Sequence, residues 1–480
     1  MNIKNLIKDS FVYGVTRYFT AFAALFLTPI YTRLLTKSDY GILDIFSIWS
    51  NLVVMVLPLG LLGALVRYYS DFSKDDLLKK KNLGSIFIGL IVLSTLYSLI
   101  MVFSKDIIIH HFIEGGMSEE IYYLSIFIVI AEIFKAYFSV QLQVRFEKYK
   151  YLIASSLSMI LLIFFGFAFV YIYDMGVVGF FRASLLSLVV SLLLLIIFLR
   201  KEISFNFDWP ILKNLLSYSV HLLSASFLFL MTNLVDRYLI LHYYSLDEIG
   251  IYAIGVKISS LIGLATGAFT VAWFPIAMKI KDNENAKTTY KNVHNLYVLL
   301  GTVVLFALFI FRKELILIFA PDYMDSYRII SILCLFLMVH GTIFIYGLGL
   351  HIKNKTKYLT YSSLVSVIIN IISSVILVHY VGLDGIAWGT LIGSSIWVII
   401  QYQLCNKHYK IPYNYILSLG ALLFLILSMF IVEYFDFQYT EITILSVSIK
   451  ILTCLFVALV VYFIKIDQKT FKHLIRSDFN

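Results

Sequence analysis

The chain has 480 residues, of which 60% are hydrophobic and only 14% charged, against roughly 25% charged in an average soluble domain. Its mean hydropathy of +0.89 is more than a chain in water can hide, since burial saturates near roughly 75% of the unfolded surface, so a soluble enzyme, a nucleic-acid binder and a disordered chain are excluded. The net charge of +9 fits lysines gathered in cytoplasmic loops, not a nucleic-acid partner.

At the N-terminus, Lys4 and Lys8 precede an apolar run containing Ala21-Phe22-Ala23, a pattern a signal peptidase reads. The run continues to Tyr31, longer than a signal's apolar core, so it is expected to be a first, uncleaved span. A span needs about 20 apolar residues, and the chain offers about fourteen. They lie near 10–34, 39–64, 83–103, 121–142, 152–171, 176–199, 214–241, 249–275, 293–311, 329–350, 358–379, 387–404, 415–432 and 443–464. All are expected to be helices, because an open strand edge in lipid leaves backbone groups unpaired. The fold class is therefore all-α integral membrane. The connection over 104–120 is too short for a folded outer domain. With the N-terminus inside, 26 of the 38 basic residues fall on inner segments and 5 on outer ones. That asymmetry sets the orientation, with both termini cytoplasmic.

Two local patterns recur. Thr36-Lys-Ser-Asp39-Tyr-Gly41 returns as Ser245-Leu-Asp-Glu248-Ile-Gly250, and both read as helix-starting capping boxes. Gly176-Val-Val-Gly179-Phe-Phe-Arg182 returns as Gly382-Leu-Asp-Gly385-Ile-Ala-Trp388. The nearly equal offsets suggest a duplication. It gives a bundle of six helices over 1–200, a second over 201–410, and an extra helix pair with a cytoplasmic tail over 411–480. Each half holds an even number of spans, so the axis relating them is expected along the membrane normal, with a cavity between. Cys334, Cys405 and Cys454 lie in apolar stretches without paired spacing, which reads as small packing residues and no metal site.

Three stretches carry a resemblance: Met1-Asn-Ile-Lys-Asn-Leu-Ile-Lys8, Pro29-Ile-Tyr-Thr-Arg33 through Gly41, and above all Asp236-Arg237 followed by Gly250-Ile-Tyr-Ala-Ile-Gly-Val-Lys257. With these the whole chain resembles the polysaccharide-specific transporters of the multidrug/oligosaccharidyl-lipid/polysaccharide (MOP) superfamily, and among them the Wzx-type O-antigen flippases. The resemblance implies two six-helix bundles of the multidrug-exporter (MATE) type in a V, alternating access, and a bacterial inner-membrane location. It implies as cargo a polyisoprenyl-diphosphate-linked glycan, undecaprenyl-linked in O-antigen or capsule synthesis. Membrane lipid and a glycan polymerase or ligase complex are the partners it suggests, and a proton or sodium ion the coupling ion. No other cofactor is expected, and no catalytic residue, because no bond is made.

An ionisable group in the bilayer core costs about 2.5–3.5 kcal/mol on insertion scales, so its presence suggests a use. Arg17, Arg182, Arg237 and Lys257 are read as cavity cations for the diphosphate, which arginine suits by its bidentate geometry. The alternative for each is neutralisation by a neighbouring helix. Asp236 and Arg237, about 100° apart on a helix, cannot share one face, so at least one needs a partner elsewhere. Asp44, Glu132, Asp236, His221 and His340 are the candidates for ion coupling, with packing residues as the plainer reading. Glu132 and Lys135 also suit a local ion pair, and Arg328, Arg237 and Lys450 could snorkel to an interface. A lipid II flippase, a multidrug or cation exporter of the same fold, and an O-unit polymerase are the rival functions. The excess of basic over acidic residues in the spans disfavours cationic cargo, and the short outer loops disfavour the polymerase.

Overall fold

The computed structural model describes residues 27–73, 75–112, 118–219, 224–353, 355, 357–438 and 444–463. Among them there is no strand. After a helical stretch at 27–34, the helices are α1 (Lys37–Val56), α2 (Leu61–Phe72), α3 (Asp76–Phe103), α4 (Lys105–Phe112), α5 (Glu119–Val144), α6 (Lys148–Gly166, running into a π-helical turn at Phe167–Ile172), α7 (Gly176–Leu199), α8 (Trp209–Ser219), α9 (Ser224–Tyr243) and α10 (Leu246–Lys279). They continue as α11 (Ala286–Phe319), α12 (Tyr327–Gly341), α13 (Ile343–Tyr346), α14 (Leu348–Ile352), α15 (Lys357–Val381), α16 (Asp384–His408), α17 (Tyr415–Gln438) and α18 (Ile444–Phe463). Eleven described helical stretches are long and apolar enough to cross a membrane, and Val447–Val460 is a shorter apolar one.

The all-α, many-span expectation is met, while the count of fourteen is not reached among the described residues. Most of the first expected span, with Arg17, lies outside them. The span at 214–241 falls on α8 and α9 either side of 220–223, so His221 lies outside them too. The span at 39–64 is two helices. Pro58 stands in the break, followed by Leu59 and Gly60 with φ of 50° and 75°, a left-handed turn that a helix cannot absorb. Ser219 Oγ donates to the Leu59 carbonyl at 2.7 Å, and a Cβ on Gly60 would run into the Ser219 backbone. The break is therefore tied to the end of α8. The 104–120 connection, expected to be too short for a folded domain, contains the eight-residue α4.

Two compact units divide the chain, Met1–Ala253 and Ile254–Asn480, and the division falls inside α10. In the first, the recurrent capping motifs meet. Thr36 and Asp39 form a complete capping box on α1, and Ser245 donates to Glu248 at the start of α10. A Cβ on Gly41 would strike the Leu246 carbonyl, and one on Gly250 the Lys37 carbonyl. Since Lys37 and Leu246 are themselves equivalent in the repeat, the contact is reciprocal, like a two-fold interface. The glycine of the motif is there because the two helix starts cross backbone to backbone.

The second motif is explained within each unit. Gly176 and Gly382 have φ of 53° and 68°, where side chains are disfavoured. The second glycine of each motif lets its helix approach the carbonyl of the preceding one: Gly179 faces Phe169 O and Gly385 faces Leu377 O. On α16 the pattern continues through Gly389, against Ser374, and Gly393, against Ser366 and Asn370 of α15. Ser366 Oγ donates to Gly393 O at 2.8 Å and Asn370 Nδ2 to Thr390 Oγ1 at 3.1 Å. Small residues at fourfold spacing replace the hydrophobic drive that lipid cannot supply. Large apolar side chains such as Leu423, Leu427, Leu455 and Phe456 are exposed instead, as expected of surfaces solvated by acyl chains.

Candidate functional site: charges buried among the helices

In the first unit α1, α9 and the start of α10 bring together three charges and a phenol. Arg237 Nε donates to Asp44 Oδ2 at 2.7 Å. Its guanidinium carbon lies 5.0 Å from the centre of the Tyr252 ring, and Tyr252 Oη donates to Asp236 Oδ2 at 3.4 Å. Arg237 is 5% exposed and Asp236 2%. The two adjacent residues thus diverge as their helical angle requires, one to α1 and the other to α10. A guanidinium at this depth is tolerable only when its charge and its donors are matched; Asp44 supplies the charge and the Tyr252 face supplies the quadrupole. Two carboxylates flank one guanidinium.

The other expected site residues lie apart from this node. Arg182 stands at the start of α7 and reaches Glu120 in the first turn of α5, with Nη2 and Nε at 2.5 and 2.7 Å from Oε1; its side chain is 43% exposed. Arg182 and Arg237 therefore each have an acidic partner on a neighbouring helix, and they are not gathered into one cluster. Lys257 is half-buried on α10 in the second unit. The small residues near it serve packing: Gly255 lies against Ile329, and Ser259 Oγ donates to Gly255 O at 2.7 Å and Ile330 O at 3.2 Å. They occupy a different helix face from Lys257.

Glu132 and Lys135 lie close enough to feel each other's charge but make no direct salt bridge. Glu132 accepts from Ser50 on α1, and Lys135 Nζ donates to Ser158 on α6 at 2.7 Å. Threefold spacing made the pair feasible, but hydroxyls on the flanking helices are closer. His340 sits edge-on to Trp397 with ring centroids 5.2 Å apart, and Ser394 Oγ is 3.4 Å from its Nδ1.

Sequence reasoning missed several buried polar groups of the second unit. Arg312 stands just past the span expected at 293–311 and was counted with the outer basic residues; it is fully buried inside α11, donating from Nη1 to Ser331 Oγ at 2.8 Å. The apolar run Leu315-Ile-Leu-Ile-Phe319 after the charges was the overlooked sign that the helix continues. Lys450, expected to snorkel, pairs with Glu314 at 2.6 Å, and Arg328 pairs with Glu433 at 2.6 Å. His294, fully buried, lies 2.7 Å from Tyr346 Oη and 2.9 Å from Ser418 Oγ. Nothing in its sequence neighbourhood distinguished it. The three cysteines are free.

Residues 30–324 match the family described as "Polysaccharide biosynthesis protein", well over half of the chain. The chain belongs to that family. It is 25% identical over 428 residues to an Lsg locus protein of Haemophilus influenzae, covering 84% of this chain and 98% of the relative. Among solved structures, the lipid II flippase MurJ in an inward closed conformation overlays with a TM-score of 0.72 at 17% identity, over 97% of this chain and all of that one. An inward-facing multidrug resistance MATE family transporter of the MOP superfamily overlays at 0.65 with 16% identity, over 82% and 94%. These likenesses establish the fold. The chain is a multi-pass membrane protein of the polysaccharide biosynthesis family with the helical fold of the MOP superfamily, as the resemblance implied.

Proposed function

We propose that the protein is a flippase that moves a polyprenyl-diphosphate-linked glycan from the cytoplasmic to the outer leaflet by alternating access. The observation that carries this reading is a match to the polysaccharide biosynthesis family in a chain that commits its buried charge to helix contacts such as Arg237–Asp44. Such groups are costly in lipid and are kept where an ion or a charged head group must pass. Arg237 and Lys257 are the cations that would meet the diphosphate, with Arg182 at a helix end and Arg17 toward the start of the chain. The node of Asp44, Asp236 and Arg237 sets two carboxylates beside one guanidinium, and these carboxylates are the groups we assign to coupling with a proton or sodium ion. No bond of the cargo is made or broken in this scheme. The bacterial inner membrane and cytoplasmic termini are part of the same reading.

The test is reconstitution. The purified chain in vesicles is supplied with a fluorescent polyprenyl-diphosphate glycan, and lectin accessibility at the outer leaflet is followed. Transfer that exceeds protein-free vesicles by at least tenfold is expected, dependent on a proton or sodium gradient. A chain that moves lipid II and leaves the glycan lipid behind would establish the second reading, which the full-length overlay on MurJ favours. No movement of either lipid would refute both.

A further inference from the structure

At one shared end of α11, α12, α16 and α17 the second unit holds a cleft of about 180 Å³. Arg312, Arg328, Asp384, Trp388, Phe430 and Glu433 are among its lining residues. Arg312 is fully buried and is held in place by Ser331 Oγ at 2.8 Å and by the face of Tyr327, 4.9 Å from its guanidinium carbon. Arg328 and Glu433 form the rim, paired at 2.6 Å with side chains 50% and 26% exposed. Lys313 also lies over Tyr327, at 5.4 Å, but does not line the cleft.

We propose that this cleft binds one neutral, polyhydroxylated sugar ring. Its four lining charges cancel, two guanidinium groups against two carboxylates. An anion would meet the two carboxylates and a cation the two arginines, and an apolar ligand would strip water from all four without replacing it, at a cost paid for each unmatched group. A ring of vicinal hydroxyls is both donor and acceptor. It can accept from the guanidinium forks and donate to the carboxylates at once. The Trp388 indole offers a flat apolar face for the C–H side of such a ring, as large aromatics do in pockets that combine a few polar groups with apolar walls. The buried, doubly tethered Arg312 makes part of the site preorganised. The duplication sharpens the point. The position equivalent to Trp388 is Arg182, which is paired to Glu120 and half-exposed, so the aromatic wall is particular to the second unit.

The sugar rests on the glycan-carrier reading for its biological source, and the charge count places this end of the helices on the outer side, where a carried glycan is released. Full-length protein in lipid nanodiscs is examined by saturation-transfer NMR with methyl glycosides of hexoses, 6-deoxyhexoses and N-acetylhexosamines, and with inorganic pyrophosphate as the anionic probe. At least one methyl glycoside is expected to receive saturation, strongest at its ring C–H protons. The signal should vanish in Trp388→Ala, survive in Trp388→Phe, and weaken at least tenfold in affinity in Asp384→Asn, which also covers the case that the alanine variant does not fold. Saturation of pyrophosphate alone, of no glycoside, or of glycosides equally in wild type and Asp384→Asn would overturn the assignment. A chain that flips the glycan lipid but binds no methyl glycoside refutes only the subsite. One that binds glycosides yet flips nothing refutes only the carrier reading.

Discussion

Arg237 is buried and held by Asp44 at 2.7 Å. Removing Asp44 takes from a buried guanidinium the carboxylate that hydrogen-bonds it, leaving only the weaker field of Asp236; breaking a fully buried pair costs about 3–5 kcal/mol, and the second carboxylate should keep the loss below that. Asp44→Asn keeps one acceptor and should cost less than Asp44→Ala, and both should depress glycan-lipid transfer. If thermal unfolding and transfer rate are unchanged in Asp44→Ala, the node is irrelevant to both. Outside the spans, Glu202 accepts from Lys79 at 2.6 Å and Arg145 at 2.6 Å. Burial pushes its carboxyl upward, but those hydrogen bonds and charges outweigh it and hold the pKa below the ordinary value. A depressed folded pKa adds stability above the unfolded value, and this is lost as pH falls through the folded one. The midpoint of thermal unfolding should therefore drop as the pH is taken below the ordinary glutamate range, about 4.3. Glu202→Gln should flatten part of that drop and cost about 1–3 kcal/mol at neutral pH; an unaltered pH profile would show that the cluster contributes nothing.

Among the helices, the recurrent motifs proved to be packing devices. A complete capping box starts α1, Ser245 accepts from Asp247 N at the start of α10, and the glycine five residues after each of Thr36 and Ser245 permits the reciprocal crossing. Gly41→Ala or Gly250→Ala forces a Cβ into a backbone carbonyl, which cannot move aside as a flexible side chain would. Overpacking of this type costs typically about 1–3 kcal/mol, so each variant should unfold at lower temperature in detergent, and the double variant should not recover. Gly420→Ala, where a Cβ meets nothing within 4 Å, is the control and should leave the midpoint unmoved. On α16, Gly389→Val should separate α15 from α16 and break the Asn370–Thr390 and Ser366–Gly393 bonds. Interhelical hydrogen bonds in lipid average about 0.6 kcal/mol, so the greater part of the loss would come from the lost close packing.

For the molecule as a whole, orientation is the property that charge alone predicts. Lys79, Lys80 and Lys81 open α3, and the 200–208 connection carries Arg200 and Lys201; on the charge count both are expected on the inner side. The turn at Pro321–Ser326 is expected on the outer side. Single cysteines introduced at Ser204 and Asp325, in a chain with Cys334, Cys405 and Cys454 replaced by serine, should label from opposite faces of intact cells. A membrane-impermeant maleimide should reach the Asp325 position and not that of Ser204. Labelling at the Ser204 position and not at Asp325 would invert the assignment, and labelling of both from outside would refute their placement on opposite faces.

Much of this was legible in the chain. A solvent of acyl tails requires long apolar runs with backbone groups satisfied internally, and this alone dictated helices and their approximate places. The family resemblance was carried by short stretches such as Asp236–Lys257, and the match over 30–324 agrees with it. Tertiary structure decided which charge meets which. Arg237 took Asp44 from 193 positions away, Glu132 passed over Lys135 for Ser50, and Arg312 turned out to lie inside a helix rather than beyond it. Spacing along one helix states only which side chains share a face. In a low-dielectric interior, where every unpaired charge is costly, the partner is whichever group the packed neighbouring helix presents, and that depends on crossings set by glycines far apart in the chain.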